Sequence, residues 1–353
     1  MDWENKLEQA VVPLLQWYNE SARSLPWREN HSSYRVWVSE IMLQQTRVAA
    51  VIDYFQRFMT ALPTVADLAQ VPEDTLLKLW QGLGYYNRAR NLKKAAQIIV
   101  ADFGGEMPAD YEKIVSLPGI GDYTAGAIAS IAYGIPVPAV DGNVLRVVSR
   151  ILGDARDISQ VSTKKAVREL LQAVMPKDAP GAFNQSLMEL GALVCLPNGA
   201  PLCVQCPVRE MCTAYRDGRT DELPVKAAKK ARRIEERTVW LIFCGNYVAL
   251  RRRANKGLLA GLWEFPNELT DSIEGIEQWH IESESQAFAG AGKHIFTHIE
   301  WHMRAIQVET KQTTLPEGWV WASREELERD YAVPNAFQSF LPIVEKRMGR
   351  TTQ

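Results

Sequence analysis

From residue 1 to about residue 212, apolar residues recur three and four positions apart: Leu7, Val11, Leu14 and Leu15; Trp37, Ile41, Val48, Ile52 and Phe55; Leu76, Leu79 and Leu83. That period gathers them on one face of successive helices. Pro and Gly punctuate the runs at Pro63, Pro72, Gly104, Gly105, Pro118, Pro136, Pro138 and Pro176, so this region is predicted to be all α. Between Thr213 and Arg237 the large apolar residues give way to Lys226, Lys229, Lys230, Arg232, Arg233 and Arg237, a composition expected of a linker over 213–237. Beyond it, TVWLIFCGNYVAL and HMRAIQVET alternate or run apolar with β-branched and aromatic residues, as strands do, while SREELERD and AFQSFLPIVEKR read as short helices. The region 238–353 is therefore expected to be α+β.

Composition adds scale. With 353 residues, 46% of them apolar, the chain has room for two cores. Lys and Arg total 40 against 42 Asp and Glu, a net charge of -2 that by itself points to no nucleic-acid partner. Any such surface must be local, and one candidate exists: no acidic residue lies between Thr75 and Ala101, where Lys78, Arg88, Arg90, Lys93 and Lys94 follow or flank the exposed-looking loop Gly82-Leu83-Gly84-Tyr85-Tyr86. Cations beside apolar and aromatic side chains on a Gly-flexed loop suit a wedge into stacked bases, although a solvated helix face gives the same composition. No secretory signal and no long apolar span is present, which leads to the expectation of a cytoplasmic protein with no membrane partner.

Three further features carry chemistry. Cys195, Cys203, Cys206 and Cys212 fall within 18 residues while Cys244 stands apart, a spacing for metal ligation by a [4Fe-4S] cluster or a structural zinc. In Leu117-Pro118-Gly119-Ile120-Gly121-Asp122-Tyr123-Thr124, Gly119 and Gly121 allow a tight turn whose backbone N–H groups, at the start of a Gly/Ala-rich helix, can approach a phosphate. Two carboxylates stand out. Glu40 lies among Trp37, Val38, Ile41 and Met42, an apolar setting that raises a carboxyl's pKa and keeps a proton available. Asp141 precedes the helix Gly142-Asn143-Val144-Leu145, where an N-cap accepts backbone N–H bonds that favour the ionised form a developing cation needs.

Together, Ser39-Glu40-Ile41-Met42-Leu43-Gln44-Gln45-Thr46, Gly82-Leu83-Gly84-Tyr85-Tyr86, the hairpin at 117–124, Val140-Asp141-Gly142-Asn143 and the four cysteines resemble the adenine DNA glycosylases of the MutY type, from about Trp17 to the chain's end. The resemblance implies a multidomain protein: an all-α helix-hairpin-helix glycosylase region over 1–212, with a six-helix barrel at about 25–135 and an iron-sulfur domain from 1–24 plus 136–212, then an α+β Nudix-like domain over 238–353. It implies a monofunctional glycosylase of base excision repair that removes adenine mispaired with 8-oxoguanine or guanine in double-stranded DNA, acting as a monomer, nucleoid-associated in a bacterium.

By the same resemblance, Glu40 protonates adenine at N7 and Asp141 stabilises the oxocarbenium sugar, while Tyr123 and Asn143 orient them and the attacking water. Arg28 lines the adenine pocket; Gln45, Thr46, Leu83 and Tyr85 read the opposite purine, with Arg88, Gly119 and Gly121 as further DNA contacts. The cysteines hold a [4Fe-4S] cluster in preference to zinc, although seven residues separate Cys195 from Cys203 where the family usually has six. Phe296-Thr297-His298 matches a Phe-Ser-His motif of the 8-oxoguanine-recognising domain. Tyr123 stands where bifunctional endonuclease III-like lyases carry the Schiff-base lysine, which disfavours that alternative. A non-catalytic DNA-structure binder is the other alternative, and an incomplete Nudix box around Arg324-Glu325-Glu326-Leu327 disfavours nucleotide hydrolysis.

Overall fold

The computed structural model describes residues 2–227, 231–270 and 276–349. Lys229 and Lys230 of the expected linker therefore lie outside the described residues. The helical region runs α1 (Trp3–Ser21), α2 (Ser33–Leu43), α3 (Val48–Ala61), α4 (Val65–Gln70), α5 (Glu73–Leu79), α6 (Asn87–Asp102), α7 (Tyr111–Val115), α8 (Asp122–Tyr133), α9 (Gly142–Leu152), α10 (Val161–Ala173), α11 (Pro180–Leu193) and α12 (Thr213–Arg216). After it come β1 (Arg233–Cys244), β2 (Tyr247–Arg252), β3 (Trp263–Glu264), β4 (Asn267–Leu269), β5 (Ser285–Ile295), β6 (Ile299–Glu309), β7 (Trp319–Ala322), α13 (Arg324–Arg329) and α14 (Leu341–Met348).

By contacts the chain forms two compact units, Met1–Gln70 with Asn91–Ala228 and Val71–Arg90 with Lys229–Gln353. In the first, α1, α9, α10 and α11 close a core of Leu7, Leu14, Val144, Val148, Val167, Phe183, Leu187 and Leu190. The apolar stripes predicted along these helices meet there, as the 3.6-residue period requires. Between Ser33 and Tyr133 the structure has seven helical segments, α2 to α8, and Pro72 is the N-cap that starts α5 after the end of α4.

In the second unit a seven-stranded sheet has the order β3-β2-β1-β6-β5, with β4 added to β1 and β7 to β2. Strand β1 pairs with β6 in parallel from Arg233↔Ile299 to Phe243↔Glu309. Alternate β1 residues feed two cores: Val239, Leu241 and Phe243 pack with Trp301, Phe337 and Phe340, and Trp240 and Ile242 with Val308 and Ile276. The segment Val71–Arg90 belongs to this unit because its polar groups bond there. Lys78 donates to the carbonyls of Leu327 and Tyr331, Gln81 to that of Val333, and Arg252 pairs with Asp74 at 2.8 Å.

The linker is shorter than composition suggests. Helix α12 covers its start, Leu223 is buried with its carbonyl bonded to Arg150 Nε, and β1 already begins at Arg233. Arg233 and Arg237 are strand residues whose charges pair with Glu235, so a basic composition there marks ion pairs on a sheet instead of free chain.

Candidate active site

A cleft of about 580 Å³ opens in the first unit, lined among others by Arg28, Glu40, Gln45, Thr46, Tyr123, Asp141, Asn143 and Glu189. Helix α2 supplies Glu40. Its N-cap Ser32 accepts from Arg35 N, and its flanking apolar residues are buried, which carries Glu40 inside at 6% exposure. The phenol of Tyr123, from the first turn of α8, donates to the Glu40 carboxylate. Burial pushes the Glu40 carboxyl up to about 7; the Tyr123 bond opposes this, the Asp141 charge adds to it and Arg28 lowers it. Burial likewise raises the Tyr123 phenol well above its usual range, so it stays a donor.

Asp141 caps α9. One carboxylate oxygen accepts from Val144 N at 2.8 Å and the other from Asn143 Nδ2 at 2.8 Å. These bonds favour the ionised form, as expected, but burial is the larger influence and raises the carboxyl, while the bonds to Val144 and Asn143 and the charge of Arg146 pull it back. Arg146, itself buried, donates to Asn143 Oδ1 at 2.9 Å and to the Cys195 carbonyl at 2.8 Å, fixing the Asn143 amide that holds Asp141.

Glu189 is the functional residue that sequence reading missed. From α11 it accepts Arg23 Nε at 2.7 Å, Arg23 Nη2 at 2.8 Å and Arg28 Nη2 at 2.9 Å. Burial opposes its charge, yet the two guanidiniums hold its carboxyl down at about 2. Glu189 thus fixes Arg28 at the cleft wall. Its sequence setting, AFNQSLMELGALV, reads as a core helix, and only a polar residue at a core-facing position signals more.

The hairpin of α7 and α8 has the geometry expected of an anion cradle. Gly119 has φ +78° and a Cβ there would meet the Asn91 side chain at 2.6 Å, so only glycine fits. Gly121 is the N-cap of α8 with no side-chain cap, and a Cβ there would meet open space, which leaves the helix N–H groups uncovered.

In the second unit the loop 82–86 differs from the exposed wedge expected. Leu83 is buried and Tyr85 is exposed, because Gly82, Gly84 and Tyr85 have φ of 105°, 69° and 47° and turn the chain between them. Arg88 is turned inward as well, donating to the Leu83 and Gly84 carbonyls with its charge over the Trp80 and Tyr85 rings, and burial lowers it to about 10. It braces this loop. Phe296, Thr297 and His298 form the turn between β5 and β6: Phe296 packs on Trp301 at 4.9 Å, Thr297 and His298 are exposed, and the Thr297 hydroxyl lies 2.9 Å from the Tyr85 hydroxyl. In the first unit, Gln45 also has a positive φ, 60°.

The four clustered cysteines line one pocket with Val147, Ile151, Leu190, Val194 and Val208. Arg150 Nη1 lies 3.3 Å from Cys195 Sγ, and the Cys212 thiol donates to the Arg150 carbonyl at 3.3 Å. Burial pushes the Cys206 thiol up to about 12. Among the described residues no three ligating side chains stand close enough to hold a single ion. Four thiols around one largely apolar pocket are a donor set of the kind that holds a thiolate-bound metal centre.

Residues 38–177 match the model of the HhH-GPD superfamily of base excision DNA repair proteins, and residues 238–342 that of the NUDIX domain. The fold and cleft thus define a helix-hairpin-helix DNA glycosylase followed by a Nudix-like domain. The human adenine DNA glycosylase is 36% identical over 382 residues, 89% of this chain and 70% of its own length. The adenine DNA glycosylase of Buchnera aphidicola subsp. Schizaphis graminum is 34% identical over 305 residues, 84% of this chain and 86% of its own. This chain belongs to the adenine DNA glycosylase family. Solved relatives include a thermostable thymine-DNA glycosylase (TM-score 0.56, 29% identity, 61% of this chain and 100% of that one) and a trapped endonuclease III-DNA covalent intermediate (TM-score 0.53, 25% identity, 62% and 99%). Among the described residues no helix is long and apolar enough to cross a membrane.

Proposed function

We propose that this enzyme hydrolyses the N-glycosidic bond of adenine mispaired with 8-oxoguanine or guanine in double-stranded DNA and leaves the strand intact. The observation that carries the reading is a buried carboxyl, Glu40, held near neutral pKa in a cleft that also contains the capped Asp141. A carboxyl of that pKa is a competent proton donor at physiological pH. The target nucleotide must leave the duplex to reach such a cleft. Glu40 gives its proton to adenine N7, the C1′–N9 bond breaks with its electron pair going to the base, and the Asp141 carboxylate stabilises the oxocarbenium sugar. Water then adds to C1′ and its proton returns to the Glu40 carboxylate, completing hydrolysis. Tyr123 and Asn143 keep the two carboxylates in place.

None of the described residues lining the cleft is a lysine, so no amine is at hand for a Schiff base and an abasic site is the product. Arg28, fixed by Glu189, lines the adenine pocket; Gln45, Thr46 and the exposed Tyr85 read the opposite purine, with Phe296, Thr297 and His298 as the 8-oxoguanine module and Gly119 and Gly121 as the backbone anchor. Cys195, Cys203, Cys206 and Cys212 would hold a [4Fe-4S] cluster, which would tie together the loop that carries them. Full-length protein incubated with duplexes containing A opposite 8-oxoguanine, A opposite G and A opposite T, then treated with hot alkali, should yield cleavage at the first two and none at the third. No cleavage opposite 8-oxoguanine would overturn the proposal.

A further inference from the structure

The anion cradle at the start of α8 carries a carboxylate of its own. Asp122 occupies the first turn of that helix, 71% exposed, where a backbone phosphate would be repelled by it. The carboxylate is engaged sideways. Arg168, reaching over from α10, places Nη1 3.0 Å from Asp122 Oδ1 and Nη2 2.5 Å from the Tyr111 hydroxyl, while that hydroxyl donates to the same Asp122 oxygen at 2.9 Å. The Arg168 guanidinium also lies over the Tyr111 ring at 5.1 Å, which fixes its plane. Arg168 is 30% exposed. Solvent-screened pairs of this kind add little to stability, so folding alone gives weak grounds for three side chains to converge on one exposed oxygen.

We infer that Arg168 is a DNA-phosphate contact held in reserve by Asp122, which occupies the guanidinium until a backbone phosphate at the α7–α8 hairpin takes it over. The inference rests on the proposed reading of that hairpin as a DNA-backbone anchor. Guanidinium binds carboxylate and phosphate through the same forked donors, so the exchange keeps the arginine satisfied in both states. Asp122 meanwhile opposes any polyanion that does not displace it. It therefore limits unproductive binding to undamaged DNA without lowering the charge of the rest of the surface.

The test is the affinity of the full-length protein for an undamaged duplex as a function of salt. Removing a phosphate-binding cation weakens binding at every sequence and makes the slope of log K against log salt shallower by about 0.9. Arg168→Ala should do this, and Arg168→Lys should restore the slope. Asp122→Asn, an isosteric change at an exposed position, should tighten binding about threefold to tenfold at low salt. An unchanged slope in folded Arg168→Ala, or unchanged or weaker binding by Asp122→Asn, would overturn the inference. Adenine release is scored separately: its absence in the wild type with these shifts intact contradicts the proposed activity, whereas absent shifts in an active enzyme contradict this inference alone.

Discussion

Two buried carboxylates face one cleft and behave oppositely. Glu40 and Glu189 are 6% and 1% exposed, yet Glu40 is pushed up to about 7 and Glu189 is held at about 2. Burial penalises both charges; the difference lies in the partners. Glu189 has two guanidiniums within hydrogen-bond reach, whereas Glu40 is bonded by a phenol, with the Asp141 charge outweighing that of Arg28. One is a fixed anion that holds the wall of the pocket, the other the proton donor of the proposed reaction. Position in the cleft does not assign the roles; the charge of the nearest neighbours does.

The sharpest way to break this comparison is Glu40→Gln. The amide keeps the shape but has no transferable proton, so the single-turnover rate of adenine release should fall by about a thousandfold, within the range typical of general-acid loss, while mismatch binding in a gel-shift assay persists. Next in size is Glu189→Ala. It leaves Arg23 and Arg28 facing each other without their anion and should cost about 3 kcal/mol in denaturant unfolding at pH 7. The sign with pH follows from the depressed carboxyl. The Glu189 contribution is complete above its unfolded value of 4.5 and is lost as pH falls toward about 2, so the variant's acid unfolding should show less of that dependence. Smallest is Tyr123→Phe. The phenol's bond lowers the Glu40 pKa, so its loss should move the alkaline fall of the pH–rate profile to higher pH, with about a tenfold lower plateau from the less well-oriented carboxyl.

Part of this site is legible in the sequence. Trp37, Val38, Ile41 and Met42 around Glu40 announce its burial, and the Asp141-Gly142-Asn143-Val144 junction announces the cap, because both effects are local. Gly119 was readable for the same reason: its turn demands positive φ. Glu189 was not, since its arginines lie more than 160 positions away and nothing in the helix that carries it names them. Nor was the inward turn of Leu83 and Arg88, which depends on the backbone path through Gly82, Gly84 and Tyr85. The grouping of Val71–Arg90 with the sheet-containing unit is likewise a matter of long-range partners, Lys78 and Gln81 bonding carbonyls some 250 positions on. The strand character of Arg233 and Arg237 was masked by their charge, since the pairing that satisfies them belongs to the sheet.

The central claim is that a single buried carboxyl, protonated up to near neutrality, releases the base. The most direct measurement is the single-turnover rate of adenine release from a duplex containing A opposite 8-oxoguanine, followed from pH 5 to pH 9 with the full-length enzyme. The account predicts a rate that falls about tenfold per pH unit above about pH 7, as Glu40 loses its proton, and a fall on the acid side only when Asp141 becomes protonated. A rate that holds constant or rises through pH 9 would contradict it.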